Sequence, residues 1–336
     1  MNDRSVAIGR FLDSAGFGAA ERDPLPGDAS FRRYIRLKGG PEPALLMDAP
    51  PGREDVRPYV RVAQHLTALG FSAPRVLATD AGQGFVAVED FGDATFTRLL
   101  AAGEDERALY ELAVDTLVAL HRMPSRKTTA IEVPAYDDAR LMTEARLLTD
   151  WFAPAALGAA MPAKTVDQYE RLWSEAFPLA RAVPDTLVLR DFHVDNLMRL
   201  PERQGTAACG LLDFQDAVIG PVTYDLVSLL EDARRDLAPG LREAMIERYL
   251  AAFPNWSRDD IAASSAILSA QRNAKIIGIF TRLWKRDGKP VYLRHIPRVW
   301  RLLEDDLRHP ALAPVRDWFD ANVPQSVRKA PEVTVG

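Results

Sequence analysis

Leu187-Val188-Leu189-Arg190-Asp191-Phe192-His193-Val194-Asp195-Asn196-Leu197, followed by Leu211-Leu212-Asp213-Phe214-Gln215-Asp216, decides how this chain reads. Each half is an apolar, strand-forming run that ends in a polar turn. The two turns offer a carboxylate at Asp191, an amide five residues later at Asn196, and a second carboxylate at Asp213. An Asp followed five residues on by Asn is common in turns and alone means nothing. Two strand-turn units in this order, carrying these residue types, suit phosphoryl transfer. That chemistry is mostly positioning and charge neutralisation: Mg²⁺ bridges phosphate oxygens, and one group accepts the proton of the attacking hydroxyl. Mg²⁺ takes hard oxygen ligands and keeps several waters, so one carboxylate and one amide suffice. A metal-free carboxylate then remains for the acceptor hydroxyl.

Working outward, the chain is β-rich upstream and mostly helical downstream. Residues 3–15 (Val6, Ile8, Phe11, Leu12) predict a short amphipathic helix. After Pro24, Pro26 and Gly27, the run to Leu37 alternates: Phe31, Arg33, Ile35 and Leu37 on one strand face, Arg32, Tyr34 and Arg36 on the other. Gly39-Gly40-Pro41 turns the chain, and Ala44-Leu45-Leu46-Met47 completes a hairpin. Pro50-Pro51-Gly52 precedes a helix from about Glu54 to Leu69, and Phe85-Val86-Ala87-Val88 is a further strand. Beyond it, Leu99–Leu100, Tyr110–His121 and Tyr136–Phe152 carry helical patterns. The expected fold class is α+β and bilobal. A small β-rich N-lobe (residues 1–91) precedes a larger, mostly helical C-lobe (92–323), with a cleft between them. Residues 324–336 have no apolar period and are expected to be a mobile tail.

Arg190-Asp191-Phe192-His193-Val194-Asp195-Asn196 resembles the catalytic loop of the protein-kinase-like fold, and Asp213-Phe214-Gln215 resembles its metal-binding loop. The resemblance implies Asp191 as catalytic base, Asn196 and Asp213 as Mg²⁺ ligands, and ATP as donor. His193 stands where aminoglycoside-phosphotransferase-like kinases also carry a His, which implies that it holds the loop together. Protein kinases need a long activation segment to dock a polypeptide. Here Tyr224-Asp225 opens an apolar helix within a dozen residues of Asp213, so a small-molecule acceptor is implied. For Asp225 the resemblance implies a structural role, steadying the catalytic loop. The stretches Gly27–Tyr34, Met47–Pro51, Leu212–Ala217 and Tyr224–Arg235 are similar to bacterial anomeric kinases of cell-wall amino sugars. That likeness runs from Gly27 to about Leu303. It implies phosphorylation of the C1 hydroxyl of N-acetylmuramate and N-acetylglucosamine to α-1-phosphates, for peptidoglycan recycling. An anomeric hydroxyl is more acidic than an ordinary alcohol, which suits a carboxylate base. The alternatives are a kinase of the same fold acting on choline, homoserine or an aminoglycoside, or a pseudokinase that holds nucleotide without turnover.

The chain departs from the kinase pattern at Met47, where protein kinases place a strand lysine that pairs with the nucleotide phosphates. Arg33 is the expected substitute, with Arg32 the close alternative. In the Gly27-Asp28-Ala29-Ser30-Phe31 segment, backbone amides can cradle phosphate. Val88-Glu89-Asp90-Phe91 reads as the hinge that grips adenine. The expected nucleotide site is therefore Ser30, Phe31, Arg33, Met47, Glu89 and Phe91. Leu189 stands where the catalytic loop often begins with His, which concerns local packing only. Sugar hydroxyls want carboxylates and amides, and a lactyl carboxylate wants an Arg. The expected sugar contacts are Asp232, Arg272 and Asn273, drawn from the polar groups Glu231–Arg235 and Gln271–Lys275.

Composition sets the outer bounds. A net charge of −5 over 336 residues gives no general attraction to nucleic acid or to an anionic membrane. Cys209 is the single cysteine, so no disulfide can form within the chain; its apolar surroundings make it a small core residue. No window reaches the roughly 18 apolar residues of a membrane span, and the first residues lack the apolar core of a signal peptide. The expectation is a cytoplasmic enzyme whose partners are a nucleotide and a small amino sugar, without nucleic acid, membrane or obligate protein partner.

Overall fold

Asp3 opens a helix whose Ile8, Phe11 and Leu12 recur at the three- and four-residue spacing of a single face, and all three are buried. A computed structural model of the chain describes residues 3–26 and 32–332, so Ser30 and Phe31 lie outside the described residues. That first helix, α1 (Asp3–Ser14), leads to β1 (Glu21–Pro24), β2 (Arg33–Lys38), β3 (Ala44–Asp48), α2 (Arg57–Ala68), β4 (Val76–Asp80) and β5 (Phe85–Glu89). Helices α3 (Phe96–Ala101), α4 (Glu106–His121) and α5 (Ser125–Thr128) follow. Next come α6 (Asp138–Leu147), α7 (Ala153–Leu157), α8 (Ala163–Ala180) and β6 (Asp185–Val188). The short strands β7 (Leu197–Arg199), β8 (Cys209–Leu211) and β9 (Val218–Pro221) precede α9 (Thr223–Leu230), α10 (Leu241–Ala251), α11 (Arg258–Asp287), α12 (Ile296–Asp306) and α13 (Ala313–Asn322).

These elements form two compact units, Met1–Val133 with Leu189–Ala217, and Pro134–Val188 with Val218–Gly336. The expected boundary at residue 91 does not coincide with this partition. The segment carrying the catalytic and metal loops groups with the sheet, because β8 bridges from Gly210 to Ser72 and β7 from Met198 to Thr95.

In the first unit, five strands form an antiparallel sheet in the order β1-β2-β3-β5-β4. The expected hairpin is present, with Tyr34 opposite Met47 and Ile35 opposite Leu46. Leu37, Ala44, Leu46, Phe85 and Ala87 pack with Phe11, Leu12 and Phe17. The register places Tyr34, Met47 and Val86 on the other face. Arg4 fastens α1 to the sheet through Asp48 and sits 4.0 Å over the Phe85 ring. Strands β1 and β4 were not expected. β1 is largely exposed and β4 half-buried, and neither carries an apolar alternation, so pairing with neighbours, not patterning, defines them.

The second unit is built around α11, a 30-residue helix capped by Ser257 at its start and by Gly288 in left-handed conformation at its end. Ile267, Ala270, Ala274 and Ile277 belong to a core shared with Trp173, Phe177, Trp300 and Phe319. Residues 324–332 are docked, which corrects the expected tail. Arg328 is 9% exposed, pairs with Glu304 at 3.0 Å and Asp320 at 2.7 Å, and donates to the Val323 carbonyl. The buried Arg328, with Val327 and Ala330 packed against the core, fixes a segment that has no apolar period. Among the described residues, no helix is long and apolar enough to cross a membrane.

Candidate active site

The catalytic segment follows Leu189 as a tight turn fixed by its own polar groups. Arg190 adopts a left-handed φ of 70°, a conformation that side chains other than glycine rarely take and that recurs where function over-determines the backbone. The Asp191 amide donates to the Leu189 carbonyl, and the Asn196 amide to that of His193, at 2.9 Å each. Asn196 Nδ2 donates to the Asp191 carbonyl at 2.9 Å and lies 3.4 Å from His193 Nε2. With Nδ2 turned toward the loop, Oδ1 is left for an external ligand. His193 is buried, at 7% exposure. Thr97 of α3 donates its hydroxyl to Asp195, a tie that sequence reading missed because a lone Thr 98 positions away carries no pattern.

The metal loop is joined to this turn directly. The Leu212 amide donates to the Asn196 carbonyl at 2.9 Å, so Asp213 leaves β8 beside the catalytic turn. Asp213 also has a left-handed φ, 57°. Phe214 is fully buried and stacks on Tyr59 of α2, with centroids 5.1 Å apart. Gln215 Nε2 donates to Asp213 Oδ1 at 2.9 Å, and Gln215 Oε1 is buried without a hydrogen-bond partner. Desolvation pushes the Asp213 carboxyl above its ordinary range; the Gln215 bond opposes this and the Asp191 charge adds to it. Asp191 and Asp213 are therefore electrostatic neighbours. A carboxylate and an amide oxygen on joined turns match the hard, sparse ligand set that Mg²⁺ accepts while keeping waters and phosphate oxygens.

On the sheet face opposite α1, Met47 is fully buried and supplies no charge. Arg33 is exposed, on the strand face of Ile35 and Leu37. Arg32 behaves differently. Its Nε is 2.7 Å from Glu54 Oε2, its Nη2 is 3.5 Å from Asp213 Oδ1, and its side chain is 15% exposed. Burial pulls the Arg32 pKa down, but the charges of Tyr34, Asp213 and Glu54 outweigh it and hold the guanidinium above its ordinary value. At the expected hinge, the Glu89 amide donates to the Arg75 carbonyl, and the Glu89 carboxylate is held by Arg75 and Arg203. The Asp90 amide donates to Pro43, whereas the Phe91 amide has no backbone acceptor among the described residues.

The expected sugar contacts separate in the second unit. Asn273, 1% exposed, donates through Nδ2 to Glu231 and to Asp306, at 2.9 Å each. Burial pushes the Asp306 carboxyl well up, and the Glu231 charge adds to it. Through Nδ2, Asn273 is a buried bridge between carboxyl groups. Arg272 is 6% exposed and donates to the Glu231 carbonyl at 3.1 Å, which ties it to the same packing. Asp232 is also buried; its Oδ1 accepts from the Arg234 amide at 2.8 Å, and Oδ2 has no hydrogen-bond partner among the described residues. Asp225 is in the first turn of α9, 1% exposed.

Residues 21–261 match the model of the phosphotransferase enzyme family, a span that includes both loops and the whole sheet. The chain belongs to that family. Relatives of this phosphotransferase include the N-acetylmuramate/N-acetylglucosamine kinase of Caulobacter vibrioides, 37% identical over 98% of this chain and 99% of the relative. The protein of the same name from Pseudomonas aeruginosa is 38% identical over 91% of this chain and 89% of its own. Among solved structures, the GDP complex of aminoglycoside 2′-phosphotransferase-IIIa superposes with a TM-score of 0.61 at 15% identity, covering 91% of this chain and 98% of that one. A choline/ethanolamine kinase family protein from Mesorhizobium loti gives 0.60 at 13% identity, covering 94% and 98%. The phosphotransferase thus has the protein-kinase-like fold, with an antiparallel five-stranded sheet and a mostly helical remainder, as expected.

Proposed function

We propose that this phosphotransferase moves the γ-phosphoryl group of ATP to the anomeric hydroxyl of N-acetylmuramate or N-acetylglucosamine, giving the α-1-phosphate. The observation that carries the reading is the join between the two turns, Leu212 amide to Asn196 carbonyl and Asn196 side chain to Asp191 carbonyl, at 2.9 Å each. It supports a reading in which the Asp191 carboxylate serves the acceptor hydroxyl next to an amide and a carboxylate that suit a metal. The kinship to amino-sugar kinases from several bacteria supplies the substrate class.

Asp191 accepts the proton of the sugar hydroxyl as the new oxygen–phosphorus bond forms and the bond to ADP breaks. Asn196 Oδ1 and Asp213 would hold Mg²⁺, which with ATP supplies an electrophilic phosphorus whose charge is partly neutralised. Gln215 fixes the rotamer of Asp213, and His193 with Thr97 keeps the catalytic turn closed. The Phe91 amide and Glu89 carbonyl are the proposed adenine contacts. The product's place is in the recovery of cell-wall amino sugars in the cytoplasm.

A coupled ADP-release assay across N-acetylmuramate, N-acetylglucosamine, choline, homoserine and kanamycin tests the reading. Turnover is expected with the two amino sugars, and phosphorus NMR should place the new phosphate on C1. Turnover with choline or kanamycin alone, or a phosphate on C6, would refute it. Asp191→Asn should lower turnover by about 100- to 10,000-fold while nucleotide still binds; a fully active variant removes Asp191 from its role.

A further inference from the structure

We infer that Arg32 is the cation that receives the nucleotide phosphates, and that Glu54 is the positioning carboxylate that holds its guanidinium in place. The inference rests on the kinase reading of the same site and goes beyond it, since the expected substitute for the missing strand lysine was Arg33.

Three observations carry it. The first is the register of the sheet. Tyr34 pairs with Met47, so the side chains that share the face of Met47 are those of even-numbered residues at this end of β2. Arg32 is two residues before Tyr34 on that face, whereas Arg33 is exposed and shares the alternation of Ile35 and Leu37, which pack with α1.

The second is the unequal grip on the guanidinium. Glu54, in the turn that leads into α2, takes the Nε side at 2.7 Å, a short, charge-assisted contact. Asp213 faces Nη2 at 3.5 Å, beyond the usual range of a strong N–H···O bond. One carboxylate holds the arginine, and the other only neighbours it. Tyr34 also hydrogen-bonds to Arg32; a guanidinium carries five donors in a rigid fork that suits phosphate oxygens, so an entering phosphate can take over the long contact to Asp213 while Nε stays on Glu54.

The third is charge balance. The charges of Asp213, Glu54 and Asp216 all act on Arg32, and that of Asp191 acts on Asp213. A polyphosphate entering this neighbourhood meets a strongly negative field unless a cation sits inside it. Among the described residues, Arg32 is the basic side chain paired with Asp213. Phosphate oxygens sharing a metal with Asp213 come within reach of a guanidinium that already touches that carboxylate.

Titrating the protein with ATP and with adenosine, without sugar, tests this by affinity alone. Arg32→Met should weaken ATP by tenfold or more and leave adenosine within about twofold. Arg32→Lys should recover part of the loss, and Glu54→Gln should weaken ATP several-fold by loosening the guanidinium. ATP affinity that Arg32→Met leaves within twofold of the parent would overturn the inference. So would equal losses for ATP and adenosine, or a loss produced by Arg33→Met in place of Arg32→Met. Should Arg32→Met fail to fold, Glu54→Gln decides: an unchanged ATP-to-adenosine ratio in that variant overturns the pairing. Because no sugar enters the titration, its result is separable from failure of the amino-sugar assay.

Discussion

Arg32 and Arg33 differ by one position, and that position decides which strand face each occupies. The alternation of Arg32, Tyr34 and Arg36 against Arg33, Ile35 and Leu37 is visible in the sequence. What the sequence withheld was the role of each face; the packing of Ile35 and Leu37 with α1 supplied it. The same apolar partners are the signal that favours Arg32 over Arg33 in the proposed phosphate contact, because a phosphate-binding cation does not belong among core-facing positions. His121 teaches a related lesson. It ends α4, where a helix dipole favours imidazolium, yet burial wins and pushes its pKa down to about 3. The unfolded chain takes up this proton below about pH 6.5, and the folded chain does not until about pH 3. Stability is therefore lost as pH falls through that window and is unaffected above it. His121→Leu should remove this part of the loss. Between pH 6.5 and 4.5 the variant's unfolding free energy in urea should fall by about 2–3 kcal/mol less than the parent's, at about 1.4 kcal/mol per pH unit. Parallel pH curves for the two proteins would show that His121 is not a buried neutral base.

At the scale of elements, apolar periodicity was enough wherever a helix or strand buries one face. Helix α1, the β2–β3 hairpin, β5 and α4 all follow from it. It failed for β1 and β4, which lack alternation and are ordered by their neighbours, and for the break in helix at Leu148–Phe152, a single π-turn between α6 and α7. The reason for close packing there is Gly278 of α11. A Cβ at that position would stand 2.2 Å from the Leu147 carbonyl carbon, so α11 meets the backbone of α6 without room for a methyl group. The sign of Gly278→Ala separates two effects. Intrinsic helix propensity alone would stabilise α11 by about 1 kcal/mol. Overpacking against an immobile backbone costs about 1–3 kcal/mol or more, and should dominate. A lower urea midpoint with an unchanged slope is the expected result, and a raised midpoint would mean that the helices separate freely at this point.

For the whole molecule, ligand binding and chain organisation are linked through the first unit, which contains both loops and the sheet. Mg²⁺-ATP at about 100 times its dissociation constant should stabilise the folded protein by about 2.7 kcal/mol, read as a rise in Tm of several degrees. Chelating the metal with EDTA should remove part of that rise, and Asp213→Asn should abolish the difference between ATP with and without Mg²⁺. A metal effect that survives Asp213→Asn would place the ion elsewhere. The sequence by itself determined which residues the proposed chemistry rests on: Asp191, Asn196 and Asp213 are local features of two strand-turn units, and local spacing is what a sequence records. It also determined the fold class, since strand and helix periods are local too. Tertiary structure alone decided which arginine stands beside Asp213, that Asn273 bridges buried carboxyl groups, that Arg328 anchors residues 324–332, and that the catalytic segment groups with the sheet. Each of these depends on contacts between residues far apart in the chain, and no period or spacing encodes such a contact.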